Sequence, residues 1–230
     1  MYNSALLTDF YELTMVQGYY YQENNPEVVF EMFFRRNPFN NGYTVFAGLE
    51  DLVERIRGLS FSKKEIEYLR QTGTFKDGFL KFLSTFKFSG DLYAVDEGSI
   101  VFPSEPLITV RANLIEAQLI ESMLLNAINF QTLIATKATR IFNSSKGGQI
   151  MEFGLRRAQG IDGALSASRA AYIGGAASTS NTYAGQILGI PIAGTMAHSW
   201  VMAFETELEA FRKYAEIYPD TTTLLIENYD

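Results

Sequence analysis

The spacing of hydrophobic positions predicts a helix at the start of the chain. Over residues 4–20 the apolar side chains recur three or four residues apart, as they do on a helix with one buried face. Leu6, Phe10 and Leu13 share that face, and Tyr11 lies on the neighbouring one. Because an aromatic residue on such a helix usually belongs to the core, the spacing alone favours a structural role for Tyr11.

The pattern up to residue 145 mixes short strands with helices. It predicts β-rich runs at 27–39 and 43–50 joined by a turn, short helices at 47–57, 62–72 and 76–85, strands with turns across 90–112, and one or two long helices at 113–143. Residues 1–145 are therefore predicted to form an α+β N-terminal domain that ends with the helical segment 113–143.

From residue 146 to 230 short apolar runs alternate with helical patterns. The predicted strands are 149–156, 176–180, 190–195 and 221–228, and the predicted helices are 163–175, 181–189 and 199–218. This alternation is typical of βαβ units with a parallel sheet, although the pattern does not separate an open sheet from a barrel. In both architectures ligands bind at the carboxyl ends of the strands. The residues there are Arg156, Arg157 and the ranges 178–181, 195–199 and 227–230.

Composition narrows the classes of function. The chain has 230 residues, of which 47% are hydrophobic and 20% charged, so it can bury one large core or two smaller ones. No apolar run reaches the roughly 18 residues of a membrane span and the start does not resemble a signal peptide, so we expect a cytoplasmic protein. The absence of cysteine rules out disulfides and cysteine-rich zinc sites, and a single histidine rules out a multi-histidine metal site within one chain. The net charge of −7 argues against a nucleic-acid surface.

The single histidine, His198, follows the predicted strand 190–195 and precedes the predicted helix 199–218. The apolar spacing through that helix predicts one continuous buried face, made by Val201, Phe204, Leu208, Phe211 and Ala215. The N-terminus of a helix has unpaired N–H groups and a positive dipole end, so it favours a neutral imidazole over a protonated one. A neutral imidazole is a nucleophile that can be phosphorylated, and the N–H groups could then bind the phosphate. From position alone, a capping or packing role is equally compatible with His198.

A second candidate is Arg156. If residues 149–156 form a strand, Arg156 and Arg157 point to opposite faces, and one charge on a covered face needs a partner or an anionic ligand. Arginine can hold a phosphate or carboxylate through two parallel hydrogen bonds. The alternatives are an internal ion pair between Glu152 and Arg156, or an arginine that has left the strand.

Four long segments give a more specific indication. They are LLTDFYELTM (6–15), FEMFFRRNPFNNGYTVFAGLE (30–50), EFGLRRAQGIDGALSASRAAYIGGAASTSN (152–181) and GIPIAGTMAHSWVMAF (189–204). In this order and spacing they resemble the nicotinate phosphoribosyltransferase family. The resemblance implies an α/β protein in which an α+β N-terminal domain (1–145) precedes the first half of an irregular α/β barrel (146–230), as in type II phosphoribosyltransferases.

The resemblance also implies an activity. The family transfers 5-phosphoribosyl from phosphoribosyl pyrophosphate to the ring nitrogen of nicotinate, releases pyrophosphate, couples the reaction to ATP hydrolysis, and so begins NAD salvage from nicotinic acid. It works as a cytoplasmic homodimer with the active site at the subunit interface. Mg²⁺ is expected to bind mainly through the substrate phosphates, with no metal site built by protein side chains.

Residue roles follow from the same resemblance. His198 matches the histidine that ATP phosphorylates, and Thr195 matches a position that touches nicotinate. Tyr11 matches a tyrosine that reaches the nicotinate pocket of the neighbouring subunit. Arg156 matches a substrate-contacting arginine of related pyridine phosphoribosyltransferases.

The chain departs from the family in its length. The family's barrel continues well beyond the segment matching residues 221–230, so the chain is expected to be truncated and to have little activity alone. Glu227 and Asn228 also stand where an aspartate and a threonine are expected. Two alternatives stay open: a catalytically inactive fragment with a dimerisation or interaction role, and a related enzyme that uses nicotinamide or quinolinate.

Overall fold

A computed structural model describes residues 4–226 of the protein. Within this range the α-helices are α1 Phe10–Tyr21, α2 Leu49–Arg57, α3 Lys63–Gln71, α4 Asp77–Leu83, α5 Leu114–Leu119, α6 Glu121–Ser144, α7 Gly160–Ile173, α8 Thr182–Leu188, α9 His198–Val201 and α10 Glu207–Ile217. The strands are β1 Glu27–Met32, β2 Thr44–Val45, β3 Asp91–Ala94, β4 Ile100–Val101, β5 Ile108–Asn113, β6 Met151–Glu152 and β7 Ser178–Thr179. Short 3₁₀ turns cover Pro38–Asn40 and Leu155–Arg157. The protein is thus a mixed α/β structure.

The first part of the chain is built around an antiparallel sheet. Its strand order is β1-β5-β3, so β5 lies between two partners distant in sequence, while β2 and β4 form a separate antiparallel pair. The two predicted β-rich runs therefore belong to different sheets and do not pair with each other. Helices α1 to α6 supply the rest of a large core, in which Phe46, Phe79, Leu80 and Ile108 are fully buried.

Three predicted short helices are confirmed as α2, α3 and α4. Their apolar residues recur at helical spacing, and α3 begins with a complete capping box between Ser62 and Glu65. The long helical segment becomes two helices, because α5 ends and α6 begins at Ile120. These local patterns were sufficient to locate the helices.

The opening helix starts later than predicted. The hydroxyl of Ser4 donates to Glu65 at 2.6 Å, and residues 5 and 6 form a turn. Helix α1 begins at Phe10, whose side chain is 59% exposed, so the predicted face through Leu6 and Phe10 is only partly buried. Leu13 does lie in the core.

Arg169 on α7 connects the two parts of the chain. Its guanidinium donates to Glu97 at 2.7 and 2.8 Å and to Glu50 at 2.5 Å. Burial raises the pKa of Glu97, but the Arg169 hydrogen bonds and the backbone amides of Gly48 and Leu49 outweigh it, so the pKa lies below the usual value. The negative charge of Glu97 is therefore compensated by the Arg169 guanidinium and by two backbone N–H groups.

The second part keeps the predicted alternation but has very short strands. β6 and β7 pair in parallel through Met151–Ser178 and Glu152–Thr179, and the predicted strand 190–195 contributes one parallel bridge from Ile192 to Thr179. The predicted strand at 149–156 is therefore mostly loop and turn. No strand forms between residues 221 and 226, and residues 227–230, including Glu227 and Asn228, lie outside the described residues.

The predicted long helix 199–218 is interrupted. It divides into α9 and α10, because Thr206 caps a new helix by accepting the backbone N–H of Glu209 at 3.2 Å. The indole of Trp200 then donates to the carbonyl of Ala210 at 3.0 Å, which folds α10 back against α9. The predicted continuous face is therefore wrong: Val201 is buried, whereas Leu208 is 58% exposed.

None of the helices within residues 4–226 combines the length and the apolar composition of a membrane span.

Candidate active site

The carboxyl ends of the parallel strands bring three predicted site residues to one edge. Arg156 follows β6, and Thr195 and His198 follow the bridge at Ile192. Since parallel strands end at the same side of a sheet, these segments meet where α/β proteins bind ligands. We call this the carboxyl edge, comprising residues 153–157, 180–181 and 193–198.

A hydrogen-bond network built on Glu152 holds the carboxyl edge together. Its carboxylate accepts from Thr179 Oγ1 at 2.6 Å, from Ser168 Oγ at 2.9 Å and from the backbone N–H of Gly154. Thr179 and Ser168 are fully buried. The network therefore joins β6 to β7 and to helix α7, and it fixes the loop that leads to Arg156.

Asn181 extends this network to helix α8. Its side-chain oxygen accepts the backbone N–H of Ala184 at 3.2 Å as the N-cap, and its amide donates to Ser168 at 3.3 Å. Sequence reasoning placed Asn181 at the carboxyl edge but gave it and Glu152 no role in organising it. The signal for Asn181 was its position between a strand and a helix, where a cap residue is common.

Arg156 lies in the 3₁₀ turn rather than in a strand, so the predicted alternation of Arg156 and Arg157 on two sheet faces is wrong. Both side chains are exposed, and neither forms an ion pair with another residue between 4 and 226. The alternative of a Glu152–Arg156 ion pair does not occur either, because Glu152 is taken up by neutral donors. The guanidinium of Arg156 is available to an anion at this edge.

His198 is the first residue of α9, as predicted, but that helix has only four residues. A helix of one turn develops a much smaller dipole than the predicted twenty-residue helix, so the electropositive field expected there is weaker. The imidazole is exposed rather than sealed in the core, and Thr195 nearby is also exposed. Both side chains are therefore accessible from solvent at the carboxyl edge.

Tyr11 lies elsewhere, in a cleft between α1, the end of β1 and α6. The cleft has a volume of about 630 Å³, and its lining includes Tyr11, Arg55 and Asn126 but not Arg156, Thr195 or His198. The side chain of Tyr11 is 46% exposed, so it is not the core residue that spacing favoured. Within one chain, the strand topology assigns Arg156, Thr195 and His198 to the carboxyl edge, whereas Tyr11 lies in a separate cleft.

The Tyr11 hydroxyl donates to Glu121 at 2.9 Å. This hydrogen bond, with smaller contributions from burial and from the Glu121, Glu12 and Asp9 carboxylates, raises the pKa of Tyr11 to about 12. The phenol is neutral at physiological pH, as an ordinary tyrosine is, and presents an uncharged aromatic ring to the cleft.

Metal ligands do not converge in the described part of the chain: no group of three His, Asp or Glu side chains within residues 4–226 is arranged to hold an ion.

Comparison with known proteins identifies the family. Residues 6–129 match the model of the nicotinate phosphoribosyltransferase N-terminal domain, which is more than half of the chain. The chain belongs to the nicotinate phosphoribosyltransferase family. The match covers α1 and its Tyr11 cleft and ends within α6, before the carboxyl edge begins.

Relatives named nicotinate phosphoribosyltransferase extend the similarity over nearly the whole chain. One from Mycobacterium tuberculosis is 44% identical over 226 residues, covering 98% of this chain and 49% of that protein. One from Bacillus subtilis is 44% identical over 227 residues, covering 98% of this chain and 46% of that protein. The chain therefore spans about half the length of these curated relatives.

Solved structures also show similarity to this family. The crystal structure of human nicotinic acid phosphoribosyltransferase superposes with a TM-score of 0.79 at 38% identity, over 86% of this chain and 40% of that chain. A nicotinate-nucleotide pyrophosphorylase from Pyrococcus furiosus gives 0.81 at 21% identity, over 98% of this chain and 51% of that chain, which shows a shared fold. The fold class predicted for this family is thus supported at the level of a mixed α/β structure.

Proposed function

We propose that this chain contributes to a nicotinate phosphoribosyltransferase. The reaction joins the ring nitrogen of nicotinate to C1′ of phosphoribosyl pyrophosphate, and the pyrophosphate oxygen leaves with the bonding electrons. The products are nicotinate mononucleotide and pyrophosphate, which begins NAD salvage from nicotinic acid in the cytoplasm. The observation that carries the proposal is family membership together with a carboxyl edge where Arg156, Thr195 and His198 are all accessible.

Residues of the carboxyl edge are assigned roles that fit their chemistry. Positive charge develops at C1′ and negative charge on the leaving pyrophosphate, so the Arg156 guanidinium stabilises the anionic side. Mg²⁺ bound to the substrate phosphates would screen the same charge. Thr195 is exposed, and its hydroxyl, which donates to the carbonyl of Met196 at 3.0 Å, would contact nicotinate.

His198 is proposed to be phosphorylated by ATP, which couples ATP hydrolysis to synthesis. An exposed imidazole nitrogen can attack the terminal phosphorus, and the N–P bond forms as ADP departs. Arg156 belongs to the same carboxyl edge, and its guanidinium would stabilise the resulting phosphate.

A homodimer is proposed because Tyr11 lies outside the carboxyl edge of its own chain. In this arrangement Tyr11 of one subunit covers the pyridine ring bound by its partner. An aromatic contact of this kind contributes about 0.5 to 1.5 kcal/mol beyond burial and favours a flat heterocycle.

A competition assay tests the substrate. The protein encoded by the complete reading frame is incubated with phosphoribosyl pyrophosphate, ATP and each of nicotinate, nicotinamide and quinolinate, and pyrophosphate release is measured. We expect nicotinate to give the highest kcat/KM. Preference for nicotinamide or quinolinate would overturn the assignment, and release with none of them would favour a role confined to dimerisation.

A further inference from the structure

Two neighbouring residues of α1 are attached to two neighbouring residues of α6. The Tyr11 hydroxyl donates to Glu121 Oε1 at 2.9 Å, while the carboxylate of Glu12 accepts from the backbone N–H and the hydroxyl of Ser122 at 3.0 and 2.9 Å. The hydroxyl of Ser122 also lies 3.1 Å from the carboxylate of Asp9. The backbone around Tyr11 is therefore fixed independently of its ring.

The side chain of Glu121 is itself held in place by Gln118. The buried amide of Gln118 donates to Glu121 Oε2 at 2.6 Å, which leaves Oε1 to accept from Tyr11. One carboxylate oxygen is thus anchored in the protein interior and the other fixes the phenol. The ring of Tyr11, nearly half exposed, stands in the wall of the cleft with Arg55 and Asn126.

We infer that Glu121 is a positioning residue that orients the Tyr11 ring for a flat, anionic heterocycle. The inference deepens the proposed function and rests on it, since Tyr11 is there the residue that covers the pyridine ring. Glu121 fixes the tilt of the ring by holding its hydroxyl.

Steady-state kinetics of the protein encoded by the complete reading frame tests this role. Loss of a charge-assisted hydrogen bond in Glu121→Ala should raise the KM for nicotinate about tenfold. The kcat and the KM for phosphoribosyl pyrophosphate should stay within about twofold. Glu121→Gln should recover most of the nicotinate affinity, because its amide oxygen still accepts from Tyr11 while its NH₂ donates to the Gln118 side-chain oxygen once that amide turns over.

Two further variants test whether the change in nicotinate KM acts through the Tyr11 hydroxyl. In a Tyr11→Phe background, which lacks the hydroxyl, Glu121→Ala should raise the KM no further. Glu54→Gln, an exposed carboxylate on α2, is the matched control and should behave as the wild type. The inference is overturned if Glu121→Ala leaves the nicotinate KM unchanged while Tyr11→Ala raises it, or if the two changes add independently.

A spectroscopic measurement separates this inference from the proposed function. In protein labelled with ¹³C in its tyrosine rings, the Tyr11 signal is assigned by its loss in Tyr11→Phe. We expect it to shift in Glu121→Ala and not in Glu54→Gln. If nicotinate turnover is absent but the shift occurs, the proposed function fails and the positioning contact stands; an unchanged signal refutes the positioning role whatever the activity.

Discussion

The two parts of the chain are stabilised in different ways. The first buries large side chains in a continuous core, including Phe46, Phe79 and Ile108. Between residues 146 and 226 most buried apolar residues are alanines, and large side chains such as Ile161 (79%) and Met202 (72%) are exposed. Apolar burial therefore fixes the first part, whereas hydrogen bonds and close backbone packing fix the carboxyl edge.

Small residues in the second part allow helix α7 to pack closely on α6. A Cβ atom placed on Gly174, just after α7, would lie 2.4 Å from the carbonyl oxygen of Ala135 and 2.7 Å from the Cβ of Ala138. Arg169 reaches across this contact to Glu97. The carboxyl edge thus depends on the first part of the chain for its support.

The largest expected effect comes from the apolar core. Phe79→Ala removes a fully buried ring and leaves a cavity, which should lower the free energy of unfolding by about 3 to 5 kcal/mol. Urea unfolding monitored by circular dichroism measures it. Tyr68→Ala, at a side chain 59% exposed on α3, is the control and should change stability by less than about 0.5 kcal/mol.

Arg169→Met tests the connection between the two parts. It leaves Glu97, only 19% exposed, without its cation, so we expect a loss of about 3 kcal/mol in unfolding free energy at neutral pH. Glu97→Gln combined with Arg169→Met should recover part of this loss. If Arg169→Met alone is as stable as the wild type, the Arg169–Glu97 ion pair does not stabilise the contact between the two parts of the chain.

The pH dependence of this effect has a definite sign. Because the pKa of Glu97 is lower in the folded protein, its stabilisation is present above the unfolded pKa and is lost as pH falls through the folded pKa. The difference between wild type and Arg169→Met should therefore shrink in acid. A difference that grows on acidification would contradict the assignment.

Gly174→Ala tests close packing of α7 on α6. The added methyl group meets backbone and Cβ atoms that cannot move freely, so we expect a loss of about 1 to 3 kcal/mol. Gly163→Ala in α7 itself is the matched control, since nothing lies within 4 Å of its added Cβ. The control should be stabilising by about 0.5 to 1 kcal/mol, because alanine is the better helix former. Equal effects at the two sites would refute the packing argument.

The smallest effect is expected from Thr179→Val, which keeps the side-chain shape but removes the hydroxyl that donates to Glu152 and Ser168 and accepts from the backbone N–H of Asn181. We expect a loss of about 1 kcal/mol in unfolding free energy, with local opening near β6 and β7. Amide hydrogen exchange at Ser180 and Ala193, whose N–H groups bond across these strands, should accelerate. Unchanged exchange would show that the network does not hold the carboxyl edge.

Local sequence patterns predicted the helices well and the strands poorly. Helices such as α3 carry their own periodicity and caps, which a single sequence displays. The pairing of β1 with β5 joins residues 76 to 86 positions apart, and β6 and β7 are two residues long, too short for an alternating pattern. The break before α10 was missed because an apolar period continued across the capping residue Thr206.

The candidate site was predicted in part. Arg156, Thr195 and His198 could be assigned to one edge, because parallel strands deliver the segments after them to the same side. Tyr11 could not be related to that edge from spacing. Glu152, Ser168 and Thr179 meet only through tertiary structure, so their network had no sequence signature.

Phosphate labelling of His198 tests the central claim most directly. The protein encoded by the complete reading frame is incubated with ATP labelled in its terminal phosphate, and acid-labile, base-stable radioactivity on the protein is counted. We predict labelling of the wild type, its loss in His198→Ala, and its retention in Tyr11→Phe. Undiminished labelling of His198→Ala would contradict the assignment of the carboxyl edge as the site of phosphoryl transfer.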